Sequence, residues 1–264
     1  MNTRRDPRTV ALATISGLFI TAAALIVLPI AFVTLFQARR FYARYCVYVA
    51  RVVLRIWGIR LRVHGQPQDG TRQVVYVSNH SSTIDLFVLI GLGLPNTRFF
   101  LSGFLRKMVP LAVLAHLMGT FFTVPQDRPD ERRRIFARAS RILARTRECV
   151  YLSPEGRRIT TGQIGHFNKG SFHLATVLGA PLAPFYIFIP RDMDPGAGYR
   201  ARPGTVVVTF KPLIETAGWR VEDVVANTEH IRDLYVRWHR ELWQEYSNDR
   251  ADRAPAGQVA HARA

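Results

Sequence analysis

His80 and Asp85 stand five residues apart in Asn79-His80-Ser81-Ser82-Thr83-Ile84-Asp85, and they are the pair best suited to do chemistry. A carboxylate that reaches one ring nitrogen of a histidine fixes its tautomer. It also stabilises the imidazolium formed when the other nitrogen takes a proton. No serine or cysteine sits in a nucleophile elbow, so the pair suits a general base acting on a substrate hydroxyl. The plain alternative is a loop histidine followed by an ordinary first-turn helix charge, since both placements are locally favourable.

The neighbouring elements decide whether the two can meet. Val74-Val75-Tyr76-Val77 reads as a buried strand, and Leu86-Phe87-Val88-Leu89-Ile90 as an apolar helix start. Ser81, Ser82 and Thr83 are helix N-cap types, which puts Asp85 in the first helical turn. A second polar stretch, Ser153-Pro154-Glu155-Gly156-Arg157-Arg158, follows another apolar run and leads to Phe167-Asn168-Lys169-Gly170 before a helix over 171–178. Gly156 allows close backbone approach, Arg157 and Arg158 can meet a phosphate, and Lys169 with the helix start adds to an anion site. Taken alone, the two arginines read more readily as solvated surface charge than as ligands.

After Gly58, short apolar runs alternate with helical stretches, the pattern of an α/β domain with a sheet flanked by helices. Strands are expected at 61–64, 74–78, 98–101, 120–124, 149–153, 183–189 and 206–210. Helices are expected at 130–146, with arginines opposite an apolar face, and at 228–246, whose aromatics read as core contacts. Three regions follow: 1–60 as membrane anchor and interfacial helix, 61–246 as the catalytic domain, and 247–264 as a disordered tail.

Val10 to Phe36 is uncharged over 27 residues. That exceeds the roughly 20 needed to cross a bilayer core, so the N-terminus is a hydrophobic, membrane-anchoring helical segment. Pro29 leaves open one kinked span or a pair of shorter helices dipping into one leaflet. Arg4, Arg5 and Arg8 precede the segment; Arg39, Arg40, Arg44, Arg51 and Arg55 follow it. The heavier C-terminal flank sets the remainder on the cytoplasmic face of a cell membrane, here a bacterial inner membrane. Phe41 to Ile59 reads either as an interfacial helix or as a basic amphipathic helix packed on its own domain. The formal charge of +17, nearly all arginine, favours anionic partners. No nucleic-acid recognition motif accompanies it. Cys46 and Cys149 have no metal or redox spacing, and the histidines have no ligand spacing, so no metal is implied.

Together the motifs resemble the glycerol-phosphate acyltransferase superfamily, nearest its 1-acylglycerol-3-phosphate acyltransferase branch. Asn79-His80-x4-Asp85 is similar to the family's catalytic block, and Pro154-Glu155-Gly156-Arg157-Arg158 through Phe167-x-Lys169-Gly170 to its third. Ala183-Pro184-Phe185 is similar to its fourth. The second block departs from Gly-x-x-Phe-x-x-Arg: Gly119-Thr120-Phe121-Phe122 runs into Pro125, and the nearest arginine is Arg128. The resemblance implies catalysis by His80 and Asp85, and substrate binding by Asn79, Arg128, Glu155, Gly156, Arg157, Arg158 and Lys169. It implies no cofactor. The co-substrate is acyl-CoA or acyl carrier protein and the acceptor a lysophospholipid, with membrane lipids as the remaining partner. Another lysolipid acceptor, or a membrane-surface binding protein without catalysis, are the rival readings.

Overall fold

The computed structural model describes residues 6–194 and 201–253. Seven strands form one sheet: β1 (Ile59–His64), β2 (Val75–Val77), β3 (Thr97–Ser102), β4 (Phe121–Thr123), β5 (Cys149–Leu152), β6 (Leu182–Phe188) and β7 (Gly204–Phe210). Their order is β1-β7-β6-β2-β5-β3-β4. The run from β6 to β4 is parallel, so those five strands open their C-terminal ends on one edge. β7 pairs antiparallel with β6, and β1 runs with β7. Every position of β2, β5 and β6 is buried, as continuous apolar runs covered on both faces must be.

Side chains alternate across the sheet and feed two cores. Tyr76, Tyr151 and Phe185 point into the first, together with α1 (Pro7–Val33), α2 (Arg39–Ile56), α3 (Asp85–Leu92) and α4 (Val109–Leu117). Val75, Val77 and Leu152 point into the second, with α5 (Pro129–Thr146), α6 (Gly170–Leu178) and α7 (Val224–Arg253). All seven expected strands form, with ends shifted by one or two residues. α4 and a 3-10 turn over Gly103–Lys107 join the expected helices.

The apolar N-terminus is one helix that continues through Pro29 and then turns back at Thr34. Leu35 and Phe36 take positive φ in that turn. α1 buries Ser16, Ile20, Ala23, Ala24, Val27 and Ala31. Their small side chains let α2 and α4 approach closely. The opposite side leaves Leu18 at 67%, Leu25 at 64% and Phe32 at 64% exposure. α2 packs on the domain through Tyr42, Cys46, Val49, Ala50 and Val53, and the Trp57 indole N–H donates to Ser16 Oγ at 3.0 Å. Residues 7–56 therefore share the domain's own core.

At the closed edge of the sheet, Glu148 is buried between Arg39 of α2 and Arg98 of β3. Burial, with Arg98 alongside, lowers Arg39 to about 10. Removing one partner of such a buried group costs about 3–5 kcal/mol. Cys46 and Cys149 are buried free thiols, and burial pushes Cys46 up to about 12. α7 runs on through Arg253, so the boundary expected at 246 falls inside a helix and 247–253 is ordered helix, not tail. Residues 254–264 lie outside the described residues, as do Arg4 and Arg5.

Candidate active site

The motif loops converge where the parallel strands end, the edge at which open α/β sheets bind ligands. β2 stops at Val77, and the next residues are held by polar contacts: Ser78 Oγ lies 2.9 Å from Tyr151 Oη. The Asn79 amide bonds both backbone groups of Ile187, its Oδ1 accepting from the N–H and its Nδ2 donating to the C=O, each at 2.9 Å. Asn79 thus extends the β2–β6 ladder by one step. The side chain is buried, with its oxygen and one N–H committed to that clamp, and it borders the crevice beside His80.

α3 begins at Asp85, whose side chain turns back over the loop instead of lying along the helix. Asp85 Oδ2 is 2.8 Å from His80 Nδ1 and accepts from the backbone N–H of Ser81 at 2.8 Å and of Ser82 at 2.9 Å. The Asp85 side chain is 1% exposed, that of His80 31%. A carboxylate already taking two N–H donors can only accept, so Nδ1 carries the proton. Nε2 is left as the basic nitrogen, on the more exposed partner.

The third block braces this histidine from behind. Glu155, 3% exposed, takes the N–H of His80 on Oε2 at 2.6 Å and the N–H of Gly165 on Oε1 at 2.8 Å. The His80 carbonyl in turn accepts from Ile159 N–H at 2.8 Å. Both Glu155 oxygens accept backbone N–H groups, so it braces the loop, and it borders the crevice beside His80. Burial raises Glu155 to about 7, against the pull of its two N–H donors.

Gly156 turns at φ +65, where a Cβ would stand 2.9 Å from Asn168 Nδ2. Arg157 and Arg158 are exposed beside it. The Arg158 guanidinium reaches Thr83 Oγ1 and so bridges the two motif loops. Arg128 is exposed at the start of α5, in the loop after β4, and pairs with Glu131 at 3.5 Å. Lys169 is exposed and precedes α6, its carbonyl taking the His173 N–H. Phe167 is fully buried against Phe172 and Tyr235, and Gly170 admits the Phe136 ring, so these two residues anchor the loop.

Sequence reasoning missed three groups. Gln126 Nε2 donates to Asn168 Oδ1 at 3.1 Å and joins the second block to the third. Arg191 donates to Thr161 O at 2.7 Å. α7 supplies Arg232, whose Nε donates to Gly165 O at 2.9 Å, and His239, which lies 3.1 Å from Gly162 O and 2.6 Å from the Tyr186 hydroxyl. A carbonyl only accepts, so His239 Nε2 carries its proton and Nδ1 accepts from Tyr186. Burial lowers His239 against the pull of the Gly162 carbonyl, and Arg191 adds to the lowering. A narrow crevice beside His80 is walled by Ile159, Ile164, Phe188, Ile189 and Trp243.

An acyltransferase family model matches residues 60–188, from β1 through β6, and takes in both motif loops. Over these residues the chain matches the acyltransferase family. Relatives that it resembles in sequence carry the name 1-acyl-sn-glycerol-3-phosphate acyltransferase. The 1-acyl-sn-glycerol-3-phosphate acyltransferase of Limnanthes douglasii is 26% identical over 192 residues, 72% of this chain and 66% of the relative. That of Pseudomonas aeruginosa is 28% identical over 180 residues, 67% of this chain and 66% of its own length. The chain thus spans just under two thirds of the relatives it matches. The crystal structure of the 1-acyl-sn-glycerophosphate acyltransferase from Thermotoga maritima has the same fold. Its TM-score is 0.73 at 20% identity, covering 89% of this chain and 94% of that one.

Proposed function

We propose that this acyltransferase moves a fatty acyl group from a thioester, on coenzyme A or acyl carrier protein, to the free hydroxyl of a lysophospholipid. The favoured acceptor is 1-acylglycerol-3-phosphate and the product phosphatidic acid. The observation that carries the reading is the His80 Nδ1 to Asp85 contact at 2.8 Å, which leaves Nε2 basic at the open edge of the sheet. His80 Nε2 takes the hydroxyl proton while the acceptor oxygen attacks the thioester carbonyl carbon. The oxyanion collapses, the C–S bond breaks, and the departing thiolate takes the proton from His80. No covalent enzyme intermediate and no cofactor enter. Arg158 and Arg157, exposed beside Gly156, hold the acceptor's phosphate.

The chemistry runs at a membrane surface. α1 is apolar all round yet packs one side on α2 and α4, so it lies in one leaflet with Leu18, Leu25 and Phe32 among the acyl chains. The arginines of α2 meet anionic headgroups on the cytoplasmic side of a bacterial inner membrane. Arg128 supports a second reading of the acceptor, because its pairing with Glu131 leaves phosphate recognition to the third block and admits another lysolipid.

Membranes or vesicles carrying the protein, given a labelled acyl thioester and a panel of lysolipids, should form phosphatidic acid first. His80→Ala and Asp85→Asn should each lower kcat by about 100- to 10,000-fold with melting temperature retained. A folded His80→Ala protein that transfers at the wild-type rate would overturn the mechanism.

A further inference from the structure

Arg134, Arg138, Arg141 and Arg145 of α5 are all exposed. Their spacing puts them within about 60° of arc and along about 16 Å of helix, a single stripe. The acidic residues of α5 are spent elsewhere: Asp130 pairs with Arg133, and Glu131 with Arg128. Among the described residues, none of the four stripe arginines has a carboxylate partner. Like charges three and four apart on a helix repel, so the stripe costs the free protein stability.

Its position decides what would relieve that repulsion. α5 packs into the second core, on the sheet face opposite α1 to α4. The stripe therefore cannot meet the headgroups of the leaflet that holds α1. The helix starts at Pro129, directly after the β4 loop that Gln126 ties to the third block. Its N-terminal end thus stands at the open edge of the sheet, beside the site, and faces solvent.

Resting on the acyl-transfer reading, we infer that the α5 arginine stripe is the docking surface for a soluble acidic protein that delivers the acyl thioester. Guanidinium forks match carboxylates bidentately, and a row of them steers an acidic helix into register. The carrier sits on the solvent side of the domain and passes its tethered acyl chain round the sheet edge to His80, while the acceptor arrives from the bilayer side.

The test compares two donors on the full chain in anionic vesicles, palmitoyl–acyl carrier protein and palmitoyl-CoA. Replacing all four stripe arginines by serine should cut kcat/KM for the carrier donor by about ten-fold or more while the CoA donor changes less than two-fold. Vesicle pelleting should be unchanged. Arg138→Glu alone should show the same selectivity should the quadruple variant fail to fold. Equal loss with both donors, no loss with either, loss of vesicle binding, or a wild-type enzyme that ignores the carrier donor would each overturn the assignment. Fluorescence anisotropy of labelled carrier binding to His80→Ala protein tests the surface without turnover; binding should weaken on Arg138→Glu. An absence of transfer from both donors by the wild type would count against the acyl-transfer reading itself, leaving the binding result to judge the stripe.

Discussion

Glu155 is the residue whose environment sets a pH dependence. Its carboxyl ionises near 4.5 when free but near 7 in the folded protein, where burial outweighs two N–H donors. Between those values the folded state keeps a proton that the unfolded chain has lost. Stability contributed by this group is thus complete below about 4.5 and lost as pH rises through about 7. Urea midpoints taken from pH 5 to 8 should fall with pH in the wild type and flatten in Glu155→Ala. That variant should be less stable throughout, because the N–H groups of His80 and Gly165 lose their acceptor. Asn79 gives a second expectation. Asn79→Ala strands both backbone groups of Ile187 in the core and should cost about 2–4 kcal/mol. Thermal melting would register it, while KM for the lysolipid should change less than two-fold. The motif blocks made the identities of both residues legible, but not the backbone groups they hold. Spacing in a motif fixes which side chains are near one another, not which way each points. For Asn79 and Glu155 the direction depends on Ile187 and Gly165, which lie outside the motif cores.

α7 links the far end of the chain to the motif loops. Arg232 and His239 hold the carbonyls of Gly165 and Gly162, Gly165 holds Glu155, and Glu155 holds the backbone of His80. His239→Ala should therefore lower kcat by about ten-fold with the melting temperature shifted little, and His239→Gln, which keeps one donor and one acceptor, should recover most of it. Steady-state kinetics on the three proteins separates this from a loss of fold. The strands were legible because each is a short apolar run bounded by turn residues. α4 was not, since Val109–Leu117 is apolar but for His116 and carries no helical period to read. The end of α7 was missed because its last turns are rich in polar and charged residues, so composition spoke for a tail. The link from His239 to the third block could not be read from sequence, as its partner carbonyl lies 77 residues away.

At the scale of the molecule, the sheet separates the face that carries the apolar helix α1 from the face that carries the α5 arginine stripe. Replacing Leu18 and Leu25 with lysine alters only the outward side of α1. The pair should release the protein from anionic vesicles in a flotation assay while its circular dichroism stays unchanged; unaltered flotation would remove α1 from the membrane. The pairing of β1 with β7 carries a further consequence, for synthesis. β1 leaves the ribosome directly after α1 and α2, yet its neighbour in the sheet begins at Gly204, opposite Ile59. At about 5–20 residues per second, β1 waits some 7–30 s for that strand. For the first part of that delay, until α4 at Val109–Leu117 is made, the small-residue stripe of α1 has only α2 to cover it. The nascent chain has to shelter its first helix in lipid or on a chaperone well before there is a domain for that helix to belong to.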